Sequence, residues 1–366
     1  MAAAASVVVA VGTVTGMVAA LDDGHGSDEA GPDVTAAPRP ESPSVMPSVS
    51  VSPSSSKTLR ESPTPSPGRT GTKRQTTSVN SRLYRHPESQ VLDWVRANPG
   101  DPRRAVIESR IADRPAAVWF ADHTPATITS RVRAVTSGAV AQGRVPVVVA
   151  YAIPDRDCGG ASQGGAPDLD AYDAWIDRFA AGLGSGEVIV VLEPDSIAQS
   201  GCLTGGQRAD RFASLSRAGR VLKAANPRTR VYYDAGHSGW NPPAKQAAWL
   251  KQAGAASAAS SDGIFSNVSN FHTTADEIAY DRQVLDALGG PAGLGAVIDT
   301  SRNGNGAPTD GTWCDPDGRK IGTAPTTNTG KARIDAYLWV KLPGESDGCK
   351  GSPGTFTPSY AYDLAR

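Results

Sequence analysis

The sequence predicts an α/β fold, an incomplete (β/α) barrel with seven strands. Two observations support this fold class: seven short apolar runs alternate with amphipathic segments, and polar residues follow the carboxyl ends of most runs. Strand–helix alternation at this spacing is typical of a parallel sheet with helices on its outside. A doubly wound sheet is the alternative. No GxGxxG motif follows the first run, which disfavours a dinucleotide-binding fold.

The predicted elements follow in chain order. The strands cover residues 117–122, 145–153, 187–193, 230–235, 263–269, 295–299 and 335–341. The amphipathic segments between them cover 126–142, 169–184, 207–225, 243–255 and 273–289. In such a barrel the carboxyl ends of the strands converge on one rim, where active sites are built. The polar residues that follow the strands are therefore expected to share one site.

The most informative segment ends the third run, where Leu192 is followed by Glu193, Pro194 and Asp195. The preceding apolar run is typical of a strand buried on both faces, and proline cannot continue a central strand. Asp195 is therefore expected just past a carboxyl end. An Asp held there against apolar surroundings is a candidate proton donor with a raised pKa. The structural alternative is that Asp195 caps the next helix, a position that favours Asp.

Composition divides the chain into three parts. Residues 1–20 are small and apolar and resemble the core of a secretory signal, although the usual positive residues are missing. Residues 21–81 are rich in Ser, Pro and Thr and are predicted to be a disordered linker, because they hold too few large apolar side chains for a core. Residues 82–366 suffice for one large α/β domain with a substantial core. Secretion is expected, with anchoring through the N-terminal apolar segment as the alternative.

Charge and cysteine content exclude several classes of function. The formal net charge is −1, without the clustered basic face of a nucleic-acid-binding protein. Cys158, Cys202, Cys314 and Cys349 all lie in the predicted domain, and an even number in an exported chain indicates two disulfides with three possible pairings. Their spacing does not match a zinc site. No metal or other cofactor is expected.

Acidic and aromatic residues cluster after the predicted strands. Several carboxylates in one cleft raise one another's pKa, so that one stays protonated as an acid while another acts as a base, as glycoside hydrolysis requires. Indole rings at a rim offer flat apolar faces to sugar rings, with core packing as the structural alternative. A di-metal hydrolase also uses clustered Asp, but the chain has only five His. The candidate residues are Trp119, Tyr151, Asp157, Asp195, Asp234, His237, Trp240, Asn270, Trp313, Lys341, Glu345 and Asp347.

One of these candidates, and two further residues, have a structural interpretation as well. Arg156 beside Asp157 is equally compatible with a structural ion pair. His237 is equally compatible with a partner of a neighbouring carboxylate, and Trp339 in the last run with core packing.

Two segments resemble the signatures of glycoside hydrolase family 6, the inverting β-1,4-glucanases and cellobiohydrolases. The first runs from Tyr151 to Cys158 as Tyr-Ala-Ile-Pro-Asp-Arg-Asp-Cys, and the second from Val190 to Ile197 as Val-Val-Leu-Glu-Pro-Asp-Ser-Ile. The segments 234–240 and 341–348 resemble further motifs of the family. The resemblance covers essentially all of residues 85–366.

The resemblance implies a role for each matching position. Asp195 would be the general acid, Asp157 the residue that raises the pKa of the acid and helps to position water, and Asp347 the base. Tyr151 would support a distorted sugar at the cleavage point. The other implied or candidate substrate-binding residues are Asp234, Lys341, Glu345, His237 and Asn270, with Trp119, Trp240 and Trp313 as stacking positions. The implied disulfides are Cys158–Cys202 and Cys314–Cys349.

The implied activity is hydrolysis of β-1,4-glucosidic bonds in cellulose or a related β-glucan, with inversion of the anomeric configuration. Exo-acting members of the family carry long insertions that roof a tunnel. Segments 241–262 and 303–334 leave little material for a roof, so an open cleft and endo action are expected. An exo-acting cellobiohydrolase and a non-catalytic glucan-binding protein are the alternatives. We expect a monomer that binds β-1,4-glucan and no nucleic acid.

Overall fold

The computed structural model describes residues 83–366, so the signal-like segment 1–20 and the predicted linker 21–81 lie outside the described residues. Seven parallel strands pair with one another in chain order and curl into an incomplete barrel. They are β1 (Val118–Phe120), β2 (Val147–Ala150), β3 (Val188–Leu192), β4 (Thr229–Asp234), β5 (Gly263–Ser266), β6 (Gly295–Asp299) and β7 (Ile334–Leu338). All seven predicted strands are confirmed. The doubly wound alternative is wrong, because such a sheet reverses its strand order at a switch point.

Eight α-helices accompany the strands within residues 83–366. They are α1 (Gln90–Ala97), α2 (Arg104–Ile107), α3 (Ile128–Ala141), α4 (Leu169–Ala180), α5 (Gly205–Ala225), α6 (Pro243–Gln252), α7 (Thr274–Leu288) and α8 (Pro358–Ala365). Helices α3 to α7 correspond to the five amphipathic segments. The connection from β6 to β7, described throughout, contains no helix. No helix of the described part is long and apolar enough to cross a membrane.

Two apolar layers flank the sheet. The outer layer lies between the strands and the helices and includes Trp175, Phe179 and Phe212, all fully buried. The inner layer fills the barrel with side chains such as Tyr232 and Phe265. Because the interior is packed, the open space near the strands lies at the rim, as in barrels of this architecture.

The seam between β1 and β7 is bridged just outside the two strands. The backbone N–H of Ala117 donates to the carbonyl of Trp339 at 2.9 Å, and the indole N–H of Trp119 donates to the carbonyl of Val340 at 2.7 Å. Helices α1, α2 and α8 pack with Trp339 and Leu342 in a third apolar cluster. These three helices, which the strand–helix alternation does not predict, therefore cover the seam that an incomplete barrel leaves open.

Helix α7 carries two buried carboxyl groups one turn apart, Glu277 and Asp281. Ser238 N donates to Glu277 Oε1 at 2.9 Å, and Ser266 Oγ donates to Asp281 Oδ2 at 3.0 Å. The second oxygens, Glu277 Oε2 and Asp281 Oδ1, are buried and have no partner among the described residues. Burial raises the pKa of Glu277, and burial followed by the charge of Glu277 raises the pKa of Asp281. Two buried negative charges this close repel each other, so the arrangement in which the two carboxyl groups share one proton is favoured.

Replacing Glu277 by Gln is expected to make the protein more resistant to alkaline unfolding. A carboxyl whose pKa is higher in the folded than in the unfolded state contributes to the free energy of unfolding while it is protonated. This contribution is lost as pH rises from the unfolded pKa through the folded pKa. The amide cannot ionise and still offers an oxygen to Ser238. We expect a gain of about 1–2 kcal/mol in the free energy of unfolding at pH 9, measured by urea unfolding across pH 5–9. Asp286→Asn, at an exposed position of the same helix, serves as control. Parallel pH dependences for Glu277→Gln and the wild type would contradict the prediction.

Candidate active site

A cleft of about 970 Å³ lies at the carboxyl ends of the strands. Every candidate residue except Asp234 lines it: Trp119, Tyr151, Asp157, Asp195, His237, Trp240, Asn270, Trp313, Lys341, Glu345 and Asp347. Among residues 83–366 no group of three or more His, Cys, Asp and Glu is arranged to hold a metal ion. The cleft thus brings together acidic and aromatic side chains from six strand ends.

Asp195 lies in the turn directly after β3, with its backbone in the left-handed region at φ 69°. Burial, followed by the negative charges of Asp234 and Asp157, raises its pKa to about 8. The hydroxyl of Tyr151 lies 3.5 Å from Asp195 Oδ2 and lowers this pKa in part. The helix-capping alternative is wrong, because the next helix, α5, is capped by Thr204. Asp195 therefore holds a proton at neutral pH and faces the cleft.

Glu193 precedes Asp195 by two residues but points away from the cleft. Its side chain is fully buried and accepts hydrogen bonds from Ala152 N at 2.9 and 3.0 Å and from Ile153 N at 3.0 Å. Burial raises its pKa to about 7, although these backbone donors act in the opposite direction. Glu193 thus ties the end of β3 to the loop that follows β2.

Asp234 ties the next pair of strand ends in the same manner. Its Oδ2 accepts from Ile197 N at 3.0 Å and from Ala198 N at 2.8 Å, and its Oδ1 accepts from Gly236 N at 2.9 Å. The side chain is 1 % exposed and lies beneath the cleft. The structure therefore does not bring Asp234 to the substrate surface. Its hydrogen bonds hold the loop after Asp195, and its charge acts on that group.

Asp299, at the end of β6, is the third buried carboxylate of this kind. It accepts hydrogen bonds from Lys341 N at 3.0 Å, Ser269 N at 3.2 Å and Val340 N at 3.3 Å. These donors lie in the loops after β7 and β5. Burial raises the pKa of Asp299, and the backbone donors lower it. Buried carboxylates at strand ends thus connect neighbouring loops around much of the rim.

Asp157 lies in a loop after β2 whose backbone is unusual. Asp155, Asp157 and Cys158 all have positive φ, between 47° and 57°. Asp157 Oδ2 accepts a hydrogen bond from Ser162 N at 2.7 Å within the loop. A disulfide joins Cys158 to Cys202, as the family resemblance implied. Asp157 is therefore held in place by its own loop rather than by a charged partner.

Arg156 does not pair with Asp157, so the ion-pair interpretation is wrong. Its guanidinium donates to the carbonyls of Ala121 at 2.6 Å and Ser162 at 2.8 Å, and also to the carbonyl of Tyr151. It also stacks 4.4 Å from the ring centroid of Tyr151. Arg156 therefore connects the first loop of the rim to the Asp157 loop and steadies the Tyr151 ring.

Asp347, in the loop that follows β7, lies between two cations. Arg302 Nη1 lies 2.7 Å from its Oδ2, and Lys341 Nζ lies 3.3 Å from its Oδ1. Arg302 is fully buried and also donates to Tyr360 Oη at 3.2 Å and to the carbonyl of Ser269. Each carboxylate oxygen of Asp347 thus has a cationic partner, and the residue still lines the cleft.

Asp315 supports the loop that carries Asp347. It accepts hydrogen bonds from Ser346 Oγ at 2.5 Å, Asp347 N at 2.7 Å and Lys350 N at 2.9 Å. Burial acts to raise its pKa, but these hydrogen bonds together hold the pKa below its usual value. The adjacent disulfide Cys314–Cys349 is the second one that the resemblance implied. The sequence pattern did not reveal Asp315 as a supporting residue.

Glu345 and Lys341 line the cleft beside Asp347. Burial raises the pKa of Glu345 to about 7, while the charges of Lys341 and Arg302 lower it in part. Lys341 Nζ also donates to the carbonyl of Ser346 at 3.2 Å. This wall therefore presents a lysine and two carboxyl groups to a ligand in the cleft.

Three tryptophans line the cleft. Trp119 packs edge-on against Tyr151 with ring centroids 5.3 Å apart. Trp240 lies against His237, and Trp313 is 57 % exposed. These three rings have free surface for sugars. Trp339 is 2 % exposed and is absent from the cleft lining, so its core-packing interpretation is correct.

His237 is not the partner of a carboxylate. Its ring stacks on His272 at 4.3 Å, and burial followed by the charge of His272 lowers its pKa to about 3. It is therefore neutral at physiological pH and accepts from Gly239 N at 3.1 Å. Asn270 also lines the cleft, with its amide donating to the carbonyl of Val268 at 3.0 Å.

Comparison with known proteins identifies the family of this chain. The sequence model described as glycosyl hydrolases family 6 matches residues 73–362. The chain belongs to glycosyl hydrolase family 6. The match of this family 6 enzyme extends over all seven strands and every residue that lines the cleft.

Relatives and a solved structure of the family are similar over the same region. Endoglucanase 1 of Streptomyces sp. (strain KSM-9) is 52 % identical over 291 residues, which cover 79 % of this chain and 80 % of that protein. Endoglucanase A of Thermobispora bispora is 48 % identical over 289 residues, covering 79 % and 62 % of the two proteins. The endoglucanase Cel6 of Mycobacterium tuberculosis, solved with methyl-cellobiosyl-4-deoxy-4-thio-β-D-cellobioside, matches with a TM-score of 0.73 at 39 % identity and covers 79 % and 98 % of the two chains.

Proposed function

We propose that this family 6 enzyme hydrolyses internal β-1,4-glucosidic bonds in cellulose or a related β-glucan, with inversion of the anomeric configuration. The observation that carries the proposal is the position of Asp195, a buried carboxyl whose pKa is raised to about 8, in a cleft that also presents Asp157, Asp347 and tryptophan faces. Relatives between 41 % and 52 % identical are named endoglucanases. Trp313, largely exposed within the cleft lining, suits an open cleft better than a tunnel.

In the proposed reaction Asp195 is the general acid. Its pKa of about 8 keeps the proton on the carboxyl at neutral pH, and the proton passes to the glycosidic oxygen as the bond to the anomeric carbon breaks. The charges of Asp157 and Asp234 oppose early loss of this proton. Tyr151, near Asp195 and edge-on to Trp119, would support the sugar at the cleavage point.

The water that completes the reaction attacks the other face of the sugar. We assign Asp347 as the group that accepts its proton and Asp157 as a group that positions it. An inverting enzyme needs space for this water, with its acid and base carboxyls roughly 6.5–9.5 Å apart. Arg302 and Lys341 keep Asp347 in one orientation. The stacking faces of Trp119, Trp240 and Trp313 would bind sugars along the cleft.

We further propose that the enzyme is secreted and acts as a monomer. Two disulfides in a domain of this kind favour an oxidising compartment outside the cytosol.

A non-catalytic glucan-binding protein would have no need for a cleft carboxyl with a raised pKa, so we favour an enzyme.

Endo action is tested by incubating the full chain with carboxymethyl-cellulose and following viscosity together with reducing ends. We expect viscosity to fall early, while few reducing ends have formed, because internal cuts shorten chains quickly. Slow viscosity loss with soluble cellobiose would instead indicate an exo-acting cellobiohydrolase. No change in either quantity would indicate a binding protein.

Inversion is tested by proton NMR during hydrolysis of cellohexaose. Single displacement by water predicts that the α-anomer of the new reducing end appears first and then mutarotates. Initial formation of the β-anomer would show retention and would refute the assignment of Asp347 as a base.

A further inference from the structure

The backbone of the Asp157 loop needs support from outside the loop. Asp155, Asp157 and Cys158 have left-handed backbones, a conformation that residues other than glycine keep only when the surroundings hold it. The disulfide to Cys202 holds one end of this segment. A second contact, made by Arg211, holds the other.

Arg211 reaches this loop from the second turn of α5. Its Nη2 donates to the carbonyl of Pro154 at 2.7 Å and to that of Asp155 at 3.2 Å. Its Nη1 lies 3.5 Å from the carbonyl of Ser196, the residue after Asp195. One guanidinium therefore binds both the Asp157 loop and the turn that carries Asp195.

Burying the charged side chain of Arg211 costs solvation free energy that packing alone does not recover. The side chain is only 4 % exposed, and within residues 83–366 its hydrogen bonds go to backbone carbonyls, with no ion pair to a carboxylate. Burial lowers its pKa, and only the charges of Asp155 and Glu193, followed by that of Tyr172, act in the opposite direction. A buried cation without a carboxylate is costly unless its donors are used. The planar fork of arginine uses them here to bind carbonyls of two loops at once.

We propose that Arg211 is a positioning residue for glycoside hydrolysis, fixing Asp157 relative to Asp195 by binding the backbone carbonyls of both loops. The inference rests on the proposed function. Arg211 does not line the cleft, so it acts through the loops and not on the substrate. Arg156 binds the Asp157 loop from the cleft side, and Arg211 binds it from behind.

The position of the Asp157 loop affects the pKa of Asp195. The groups that face Asp195 are Asp234 below it, Asp157 from the β2 loop and Tyr151 at the end of β2. Of these, Asp157 is the one whose loop Arg211 holds directly. If the loop relaxes, the negative charge of Asp157 moves away and water reaches Asp195. Both changes lower the pKa of Asp195. Because the acid must be protonated, the fall in activity at alkaline pH, the alkaline limb of the pH profile, then begins at lower pH.

The test compares Arg211→Met and Arg211→Lys with the wild-type full chain on cellohexaose between pH 4 and 10. We expect Arg211→Met to lower kcat by roughly 10²-fold with little change in KM, since a small misplacement of catalytic groups has effects of this size. Its alkaline limb should fall by about one pH unit. Arg211→Lys keeps the charge but not the fork, so it should lie between Arg211→Met and the wild type.

Arg217→Met is the matched control, because Arg217 lies on the same helix and pairs with Asp173 and Asp177 at the surface. It should leave kcat and the alkaline limb unchanged. A lower melting temperature with unchanged kcat and limb in the Arg211 variants would show a merely structural role and overturn the proposal. If Arg211→Met does not fold, Arg211→Lys decides by the same criteria. Absence of hydrolysis by the wild type would refute the proposed function instead.

Discussion

Replacing Asp195 by Ala is expected to lower kcat on unactivated β-glucan by about 10²–10⁴-fold, the usual contribution of a general acid. Asp195 is protonated at neutral pH because burial and two nearby negative charges raise its pKa to about 8. Alanine has no proton to give to the departing oxygen. The measurement is kcat on cellohexaose, with Asp210→Ala, at an exposed position of α5, as the control for an unrelated carboxylate.

Two further readouts separate loss of the acid from general damage. Activity of the wild type should fall as pH rises through about 8, because the acid must be protonated, and the residual activity of Asp195→Ala should lack this limb. A 2,4-dinitrophenyl β-cellobioside, whose leaving group needs no proton, should lose far less activity in the variant. A loss below tenfold on cellohexaose would show that the acid is misassigned.

The strands and the cleft-lining residues were predictable because they follow from local patterns. Apolar runs bounded by Pro, Gly and charged residues mark the seven strands, and parallel pairing brings their carboxyl ends together. Asp195 follows the third run almost directly and Asp157 lies in the loop after the second, so their presence in the cleft follows from the fold class. Helices α1, α2 and α8 escaped prediction because they lie outside the strand–helix alternation.

The supporting residues were not predictable, because their partners are distant backbone groups. Glu193 and Asp234 resemble further acidic rim residues in the sequence, yet both turn inward to backbone N–H groups of the preceding loop. Arg211 lies in a helical segment where charge usually indicates a solvated face. Its burial depends on how α5 packs against two loops. The disulfide pairing, open on cysteine count alone, required the family resemblance.

Replacing Arg302 by Met is expected to destabilise the protein by about 3–5 kcal/mol, the range found when one partner of a buried ion pair is removed. Arg302 is fully buried and pairs with Asp347 at 2.7 Å, with Asp315 at 3.8 Å behind it. Methionine fills much of the volume but leaves both carboxylates without their shared cation. Urea unfolding at pH 7 measures the loss. Arg96→Met, in an exposed pair with Asp93, should change the free energy of unfolding by at most about 1 kcal/mol.

A double variant identifies the cause of this loss. If the cause is the charge of Asp347, which then keeps only Lys341 as a cationic partner, Arg302→Met combined with Asp347→Asn should be more stable than Arg302→Met alone, because the charge is removed along with its buried partner. If lost packing against Phe271, whose ring centroid lies 4.4 Å from the guanidinium carbon, is responsible, the double variant should show no recovery. We expect recovery of a substantial part of the loss. The second outcome would mean that Arg302 stabilises the rim through its stacked side chain, and that Asp347 does not depend on it for neutralisation.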